Sequence, residues 1–143
     1  MHSGIYFFKE NVKFRFLKST QILNWIKRVI RKEGKGTGEI NVIFCSDTYL
    51  LDLNRKFLSH DYFTDIITFN SSTEKFISGE IYISIDRVIE NASKLNLPFQ
   101  DELRRVIIHG VLHLLGYSDS SKAQKNAMRI KEDACLSLLS SFT

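Results

Sequence analysis

Alternation of apolar and polar residues predicts β-strands in the first part of the chain. Residues 12–16 are the clearest case, because Val, Phe and Phe alternate there with Lys and Arg, which is typical of a strand with one solvated face. The other segments are short runs rich in β-branched and aromatic residues. The predicted strands are residues 5–8, 12–16, 39–45, 65–69 and 80–85.

Apolar residues at helical spacing predict the helices. The first helix follows Ser19 or Thr20, either of which can cap it, and it stops at a turn formed by Gly34, Gly36 and Gly38. Leucine and proline at positions 97 and 98 separate two later helices. The predicted helices are residues 21–33, 47–57 (capped by Ser46 or Asp47), 86–96 (capped by Asp86), 100–115 and 121–140.

The order of these elements predicts an α+β fold. Strands come early, helices are interspersed among them, and the C-terminal half is helical. We therefore expect a mixed β-sheet of about four to five strands packed with helices. The chain has 143 residues, 43% of them hydrophobic, which is the size of one ordinary domain, so residues 1–143 are predicted to form a single folded unit.

Charge and cysteine content narrow the class of protein only loosely. A formal net charge of +4 and a pI near 9.1 permit a polyanionic partner without proving one. Cys45 and Cys135 lie far apart and outside any CxxC spacing, so neither a disulfide framework nor a cysteine metal site is indicated. Charged residues interrupt the N-terminal apolar stretch, and no run is long enough to span a bilayer. These features predict a soluble cytoplasmic protein.

Candidate chemistry is concentrated in one segment, IIHGVLHLLGYSD at residues 107–119. On a helix, His113 lies about 40° around the axis from His109, so both imidazoles share one face and can bind one ion. Gly116 then breaks the helix, and Asp119 can return a carboxylate to the same ion. The sequence therefore predicts a zincin-like metal helix with a site made of His109, His113 and Asp119, and zinc is the expected ion.

Two other interpretations of this segment stay open. His109 and His113 can be partly buried helix histidines, and Asp119 can cap the last helix, although neighbouring serines are available for that role. The site can also belong to a hydrolase of another substrate, such as a peptide. Gly110 argues against peptide cleavage, because an HExxH metalloprotease carries its glutamate base at that position.

The same segment resembles HGxLHLxGYDH, the signature of the YbeY-type endoribonucleases, a family of rRNA maturation factors. The matching residues are His109, Gly110, Leu112, His113, Leu114, Gly116 and Tyr117. Upstream, residues 53–54 and 64–69 resemble the family's LN…TDVLSF segment, and residues 79–81 resemble its GDI.

The resemblance implies a metal-dependent, single-strand-specific endoribonuclease. The expected role is 3′-end maturation of small-subunit (16S) rRNA and ribosome quality control. One zinc ion is the implied cofactor. Ribosomal RNA and the small ribosomal subunit are the implied partners, and neither membrane nor DNA is expected among them.

Two positions depart from the family pattern. Asp119 stands where the family usually has its third histidine, and the resulting His2-Asp site is more tolerant of other divalent transition metals. Leu58 stands where the family typically has an arginine important for cleavage, so another cation has to bind the phosphate. The candidates for that role are Arg55, Lys56, His60 and Arg105.

The sequence leaves the general base unassigned. Glu102 and Glu80 are the candidates, because either carboxylate can take a proton if it lies within reach of the reacting water. A further interpretation is a ribosome-associated RNA-binding protein with a structural metal, which is motivated by Leu58 in place of the family arginine. Single-stranded RNA can also stack on exposed aromatic side chains. The candidates for stacking are Tyr62, Phe63 and Tyr117.

Overall fold

The computed structural model of the protein describes residues 4–140, and this part of the chain forms four strands and five helices. The strands are β1 (Gly4–Glu10), β2 (Gly36–Cys45), β3 (Ile66–Asn70) and β4 (Phe76–Ser84). The helices are α1 (Ser19–Lys32), α2 (Asp47–Leu58), α3 (Ile85–Leu95), α4 (Phe99–Leu114) and α5 (Lys122–Ser140). None of these helices combines the length and the apolar character needed to cross a membrane.

The strands form one mixed sheet in the order β1-β2-β4-β3. β1 and β4 each pair with β2 in parallel, whereas β3 pairs with β4 in the antiparallel sense. α1 makes the crossover between the parallel strands β1 and β2. The predicted α+β fold with a mixed sheet is confirmed.

The core is divided between the two faces of the sheet. α1 and α4 pack on one face, and Trp25, Ile81 and Ile107 are fully buried in that core. α2 covers the other face, where Leu50 packs with Ile67. Because most of α4 is buried, the side of this helix that stays open is the one that carries its two histidines.

The predicted strand at residues 12–16 does not form. Asn11 has a left-handed φ of +56°, and the next residues run on without pairing to any strand of the described chain. Phe14 and Phe16 pack against Phe44, with ring centroids 5.1 and 4.8 Å from that of Phe44, while Lys13 and Arg15 stay exposed. The prediction was wrong because alternation reports which side chains are buried, whereas a strand also needs a neighbour for its backbone hydrogen bonds.

The glycine cluster after α1 also differs from the prediction. Gly34 forms the turn with a φ of +78°, but Gly36 and Gly38 already belong to β2. A Cβ atom at Gly38 would lie 2.0 Å from the Oγ atom of Ser78. Glycine at this position therefore allows β2 and β4 to approach closely and does not provide flexibility.

The predicted helix caps are confirmed in one case and wrong in two. Ser46 caps α2 through an Oγ atom that accepts a backbone hydrogen bond at 3.2 Å. α3 is capped by Ser84, because Asp86 lies inside the first turn, where its carboxylate accepts the backbone N–H of Asp47 at 2.8 Å. The N-cap of α1 is Lys18, whose left-handed conformation turns the chain into the helix without a side-chain cap.

Candidate metal centre

α4 holds its histidines outward because its other side is packed against the sheet. Gly110 faces β3 and β4, where a Cβ atom would lie 2.7 Å from Cγ2 of Ile81 and 2.9 Å from Cδ1 of Ile66. His109 and His113 lie on the side turned away from the sheet and are partly exposed. A glycine at position 110 thus lets α4 sit close to the sheet.

The chain reverses directly after α4. Leu115 is the C-cap, and Gly116 has a φ of +102°, a left-handed conformation that favours glycine. The backbone N–H of Tyr117 donates to the carbonyl oxygen of Leu112 at 3.0 Å and closes the turn. This reversal brings Asp119 back to the two histidines.

Three side-chain atoms converge at that point. The Nε2 atoms of His109 and His113 are 3.0 Å apart, and Oδ2 of Asp119 lies 3.2 Å from the first and 3.4 Å from the second. A tetrahedral zinc ion with ligand distances of about 2.0–2.2 Å needs donor atoms about 3.3–3.6 Å apart. The three donors are within a few tenths of an ångström of that spacing, so this group can hold a metal ion.

Glu132 on α5 accepts a hydrogen bond from His109 and so holds the ring proton of this histidine on Nδ1. Oε2 of Glu132 accepts a hydrogen bond from Nδ1 of His109 at 2.5 Å, and Oε1 accepts one from Arg105 at 2.8 Å. Burial opposes ionisation of Glu132, but the hydrogen bonds from His109 and Arg105 outweigh it and lower the pKa of Glu132. Burial also opposes the charged form of His109, yet Glu132 raises the pKa of His109 above its usual value.

The loop that carries Asp119 is anchored on its other side. The hydroxyl group of Tyr117 donates to Oε1 of Glu33 just after α1, and Nζ of Lys131 donates to Oε2 of Glu33 at 2.9 Å. The ammonium group of Lys131 also lies 5.7 Å from the centroid of the Tyr117 ring. Tyr117 is thereby held between α1 and α5, two residues before the third donor of the site.

A cleft of about 260 Å³ opens beside His109 and Asp119. Asp65 and Glu102 line it, and Oε1 of Glu102 is buried with no hydrogen-bond partner in the described part of the chain. Burial raises the pKa of Asp65 against the opposing charge of His109. Burial, followed by the charge of Asp65, raises the pKa of Glu102. The cleft therefore holds carboxyl groups that favour the protonated form more than exposed ones do.

The structure separates the two carboxylates predicted as bases. Glu102 lines the cleft. Glu80 lies on β4 between Gly79 and Ile81, and successive residues of a strand point to opposite faces. Since Ile81 faces α4, Glu80 points to the other face of the sheet, away from the histidines. The structure does not bring Glu80 to the site.

The predicted phosphate-binding residues are also separated. Arg105 lines the cleft, but its guanidinium group already binds Glu132. Arg55 lies at the end of α2 with Lys56 and pairs with Asp61 at 2.5 Å. His60 follows in the next loop, and Leu58 at the end of α2 is 41% exposed. None of the α2 and loop candidates lines this cleft.

The aromatic residues proposed for base stacking have partners within the protein. The ring of Tyr62 stacks on His60 with centroids 5.1 Å apart, and Arg87 lies 5.5 Å from the ring centroid of Phe63. Tyr62 and Phe63 are nonetheless more than half exposed, at 56% and 51%. Tyr117 is partly buried against the core, and Nζ of Lys131 lies over its ring at 5.7 Å from the centroid.

Four further charged residues of the cleft were not singled out as site residues from the sequence. They are Asp65, Lys125, Arg129 and Glu132. The three on α5 share one face of that helix, a pattern that helical spacing can show in advance. That this face is turned toward α4 is a tertiary contact, so the spacing gave no reason to connect these residues with the histidines.

Fold and site together define a class of protein. A helix that presents two histidines, a carboxylate returned by the following turn and an adjacent cleft with titratable groups are features of a metal-dependent hydrolase. Within that class, the sequence model of the family described as Endoribonuclease YbeY matches residues 7–140. The chain therefore belongs to the YbeY endoribonuclease family, which confirms the resemblance of its motifs.

Individual relatives cover nearly the whole chain. Endoribonuclease YbeY of Cytophaga hutchinsonii is 50% identical over 135 residues, which is 94% of each protein. Endoribonuclease YbeY of Flavobacterium psychrophilum is 50% identical over 131 residues, or 92% of this chain and 94% of that protein. The solution structure of TM1509 from Thermotoga maritima is similar with a TM-score of 0.64 and 30% identity, over 96% of this chain and 92% of that one.

Proposed function

We propose that this protein is a zinc-dependent endoribonuclease of the cytoplasm that cuts single-stranded ribosomal RNA of the small subunit during maturation. The observation that carries the proposal is the convergence of His109, His113 and Asp119 at the edge of a cleft in a chain of the YbeY family. Relatives of matching length that are named endoribonucleases support the choice of RNA as the substrate.

In this proposal His109, His113 and Asp119 hold the metal ion. The ion supplies Lewis-acid chemistry, since a bound zinc ion lowers the pKa of a water molecule and polarises a phosphodiester oxygen. Glu132 keeps the proton of His109 on Nδ1, so that Nε2 presents its lone pair to the ion. Arg105 keeps Glu132 charged and in place.

The proton-accepting group is chosen from the two carboxyl groups of the cleft. Glu102 and His109 share one face of α4, but they are about 10 Å apart along the helix axis, and helical side chains lean toward the N-terminus. Asp65 comes from the loop before β3, and its charge acts directly on His109. We therefore assign the proton-accepting role to Asp65, and Glu102 is the second candidate.

Metal analysis combined with RNA cleavage tests the proposal. Protein purified without chelator is expected to contain about one zinc ion per chain, and His113→Ala and Asp119→Ala are expected to lose it. Cleavage of a single-stranded rRNA 3′-end fragment should fall at least about 100-fold in both variants, because the ion contributes several kcal/mol to the transition state. His60→Ala is the matched control, since His60 lies outside the cleft. Metal-loaded protein that leaves the RNA intact would refute the catalytic proposal.

A second experiment separates the two carboxyl groups. Asp65→Asn should lower the rate of RNA cleavage at all pH values without loss of the metal, because its carboxyl group takes the proton. Glu102→Gln should lower the rate of RNA cleavage less than Asp65→Asn does. If Glu102→Gln abolishes cleavage and Asp65→Asn does not, the assignments are reversed.

Peptide hydrolysis, the alternative function, is not supported at position 110, where an HExxH enzyme has its glutamate base. Gly110 is buried against Ile81 and Ile66, so the glutamate of an HExxH enzyme cannot be accommodated there without displacing the sheet. Zinc-dependent cleavage of a peptide library that is abolished by His109→Ala would overturn the choice of RNA. Co-sedimentation with small ribosomal subunits tests the proposed partner.

A further inference from the structure

α5 lines the cleft opposite α4 with two basic side chains. Lys125 and Arg129 both contribute to the cleft wall, and a separation of four residues places them on the same face of the helix, about 6 Å apart. Both residues are exposed. In the part of the chain that the structure describes, neither side chain forms an ion pair with a carboxylate within 4.0 Å.

The other basic residue of the cleft is already engaged. Arg105 donates to Glu132 at 2.8 Å and to Asp133 at 2.6 Å, and these contacts support His109. Moving this guanidinium group onto a phosphate would remove one of the two partners of the buried Glu132 carboxylate and leave only His109. Arg105 therefore cannot serve both purposes.

The charge of the cleft requires cations if a polyanion is to enter. Four carboxyl groups line it. They are Asp65, Glu102, Asp119 and Glu132. A phosphate group that approaches these carboxylates is repelled unless nearby cations or the metal ion offset their charge. Leu58, at the end of α2, carries no charge and does not line this cleft.

We propose that Lys125 and Arg129 bind the RNA backbone in the cleft and supply the phosphate contact for which position 58 has no charged group. The inference rests on the proposed function, since it takes single-stranded RNA as the ligand. Arg129 can grip one phosphate with two parallel hydrogen bonds, and Lys125 acts as a point charge one helical turn away. The same face of α5 carries Glu132, which binds His109, so a phosphate held by Arg129 lies in the cleft that His109 lines.

RNA affinity and its salt dependence test the proposal. The metal-loaded protein and its Lys125→Ala, Arg129→Ala and double variants are titrated with a short single-stranded RNA whose cleavage site carries a non-hydrolysable linkage. Each single variant should bind about 3–10-fold more weakly, and the double variant about 10–100-fold. The slope of log K against log salt should become shallower by about 0.7 for each cation removed. Lys122→Ala is the matched control, because Lys122 lies on the same helix and does not line the cleft.

The metal content and cleavage rate distinguish the possible outcomes. If the wild type cleaves RNA and the double variant binds RNA with the same affinity and salt slope, this inference is wrong and the proposed function stands. If RNA binding depends on both residues but the metal-loaded wild type does not cleave, the phosphate-binding assignment survives and the catalytic proposal fails. If the wild type neither binds nor cleaves RNA, both are wrong. Arg129→Lys should recover part of the affinity, because it keeps the charge and loses the paired hydrogen bonds.

Discussion

Glu132 accepts a hydrogen bond from Nδ1 of His109 at 2.5 Å, although the two residues lie on different helices, α5 and α4. The contact fixes the tautomer that leaves Nε2 available as a metal donor. It also ties the orientation of the imidazole ring to the packing of α5. The C-terminal helix is therefore part of the candidate metal centre, even though it contributes no donor atom of its own.

Glu132→Gln should weaken metal binding. The glutamine keeps the size of the side chain but removes the charge that holds the proton on Nδ1 of His109, and loss of such a partner typically costs 10–100-fold in metal affinity. Competition with a chromogenic zinc chelator measures the change.

Asp133→Asn is the matched control for that experiment. Asp133 binds the same Arg105 as Glu132 does, at 2.6 Å, but it is exposed and does not contact His109. The metal affinity of the Asp133→Asn variant should stay within about 2-fold of the wild type, as expected for an exposed ion pair. Equal losses in the two variants would mean that Arg105, and not the hydrogen bond to His109, is the important partner.

Tyr117→Phe should loosen the loop that carries Asp119. The variant removes the hydroxyl group that donates to Glu33 and leaves the ring in place. We expect the free energy of unfolding to fall by about 1 kcal/mol, as for the loss of one hydrogen bond. Zinc affinity should fall several-fold, because Asp119 lies two residues further along the chain. Chemical denaturation and chelator competition measure the two effects.

Tyr62→Phe provides the comparison for Tyr117. It also removes a tyrosine hydroxyl group with a hydrogen-bond partner, His60, but this pair lies outside the cleft. Its zinc affinity should not change. Unchanged zinc affinity in Tyr117→Phe as well would show that the loop is held in place by other contacts.

The stability of the metal-free protein should depend on pH through Glu33. Burial opposes ionisation of Glu33, but hydrogen bonds from Tyr117 and Lys131 outweigh it and lower the pKa of Glu33 from its ordinary 4.5. A carboxyl group with a lowered folded-state pKa stabilises the fold above its unfolded pKa, and this contribution is lost as pH falls through the folded value. The stability advantage of the wild type over Glu33→Gln should therefore be present at neutral pH and shrink below about pH 4.5.

Urea denaturation at a series of pH values measures this difference. Lys131→Met should also reduce the pH dependence of the unfolding free energy, because it removes the ammonium partner of Glu33. Parallel stability curves for the wild type and Glu33→Gln from pH 7 to pH 3 would contradict the prediction.

Gly110→Ala should destabilise the protein, although helix propensity alone predicts the opposite. Alanine gains about 1 kcal/mol over glycine inside a helix. The added methyl group, however, would lie 2.7 Å from Ile81 and 2.9 Å from Ile66, so α4 has to move away from the sheet. Overpacking of this kind typically costs about 1–3 kcal/mol.

The sign of the change in unfolding free energy for Gly110→Ala shows whether overpacking or helix propensity dominates at this position. A loss of stability, accompanied by weaker zinc binding as α4 shifts, is the expected result of thermal and chemical denaturation. A gain of about 1 kcal/mol would show that the sheet has room and that glycine at this position serves another purpose.

The sequence by itself determined the candidate metal donors and their grouping. His109 and His113 share a face because the helix repeats every 3.6 residues, and Gly116 turns the chain because it adopts a left-handed conformation freely. Both are local properties, so the spacing alone brings Asp119 back toward the histidines. The mixed α+β architecture was predictable for the same reason, since the order of strands and helices is written along the chain.

The tertiary structure decided which other residues belong to the site. Asp65 lies far before α4 in the chain, and Arg129 and Glu132 lie on the next helix, α5. They meet the histidines only because α5 and the loop before β3 pack beside α4. The tertiary structure also excludes Glu80 from the site. Because α4 packs on the face of the sheet that carries Ile81, the neighbouring Glu80 points to the opposite face. Contacts of this kind depend on how separate elements dock, and docking minimises exposed apolar surface over the whole chain, so no single stretch of residues encodes it.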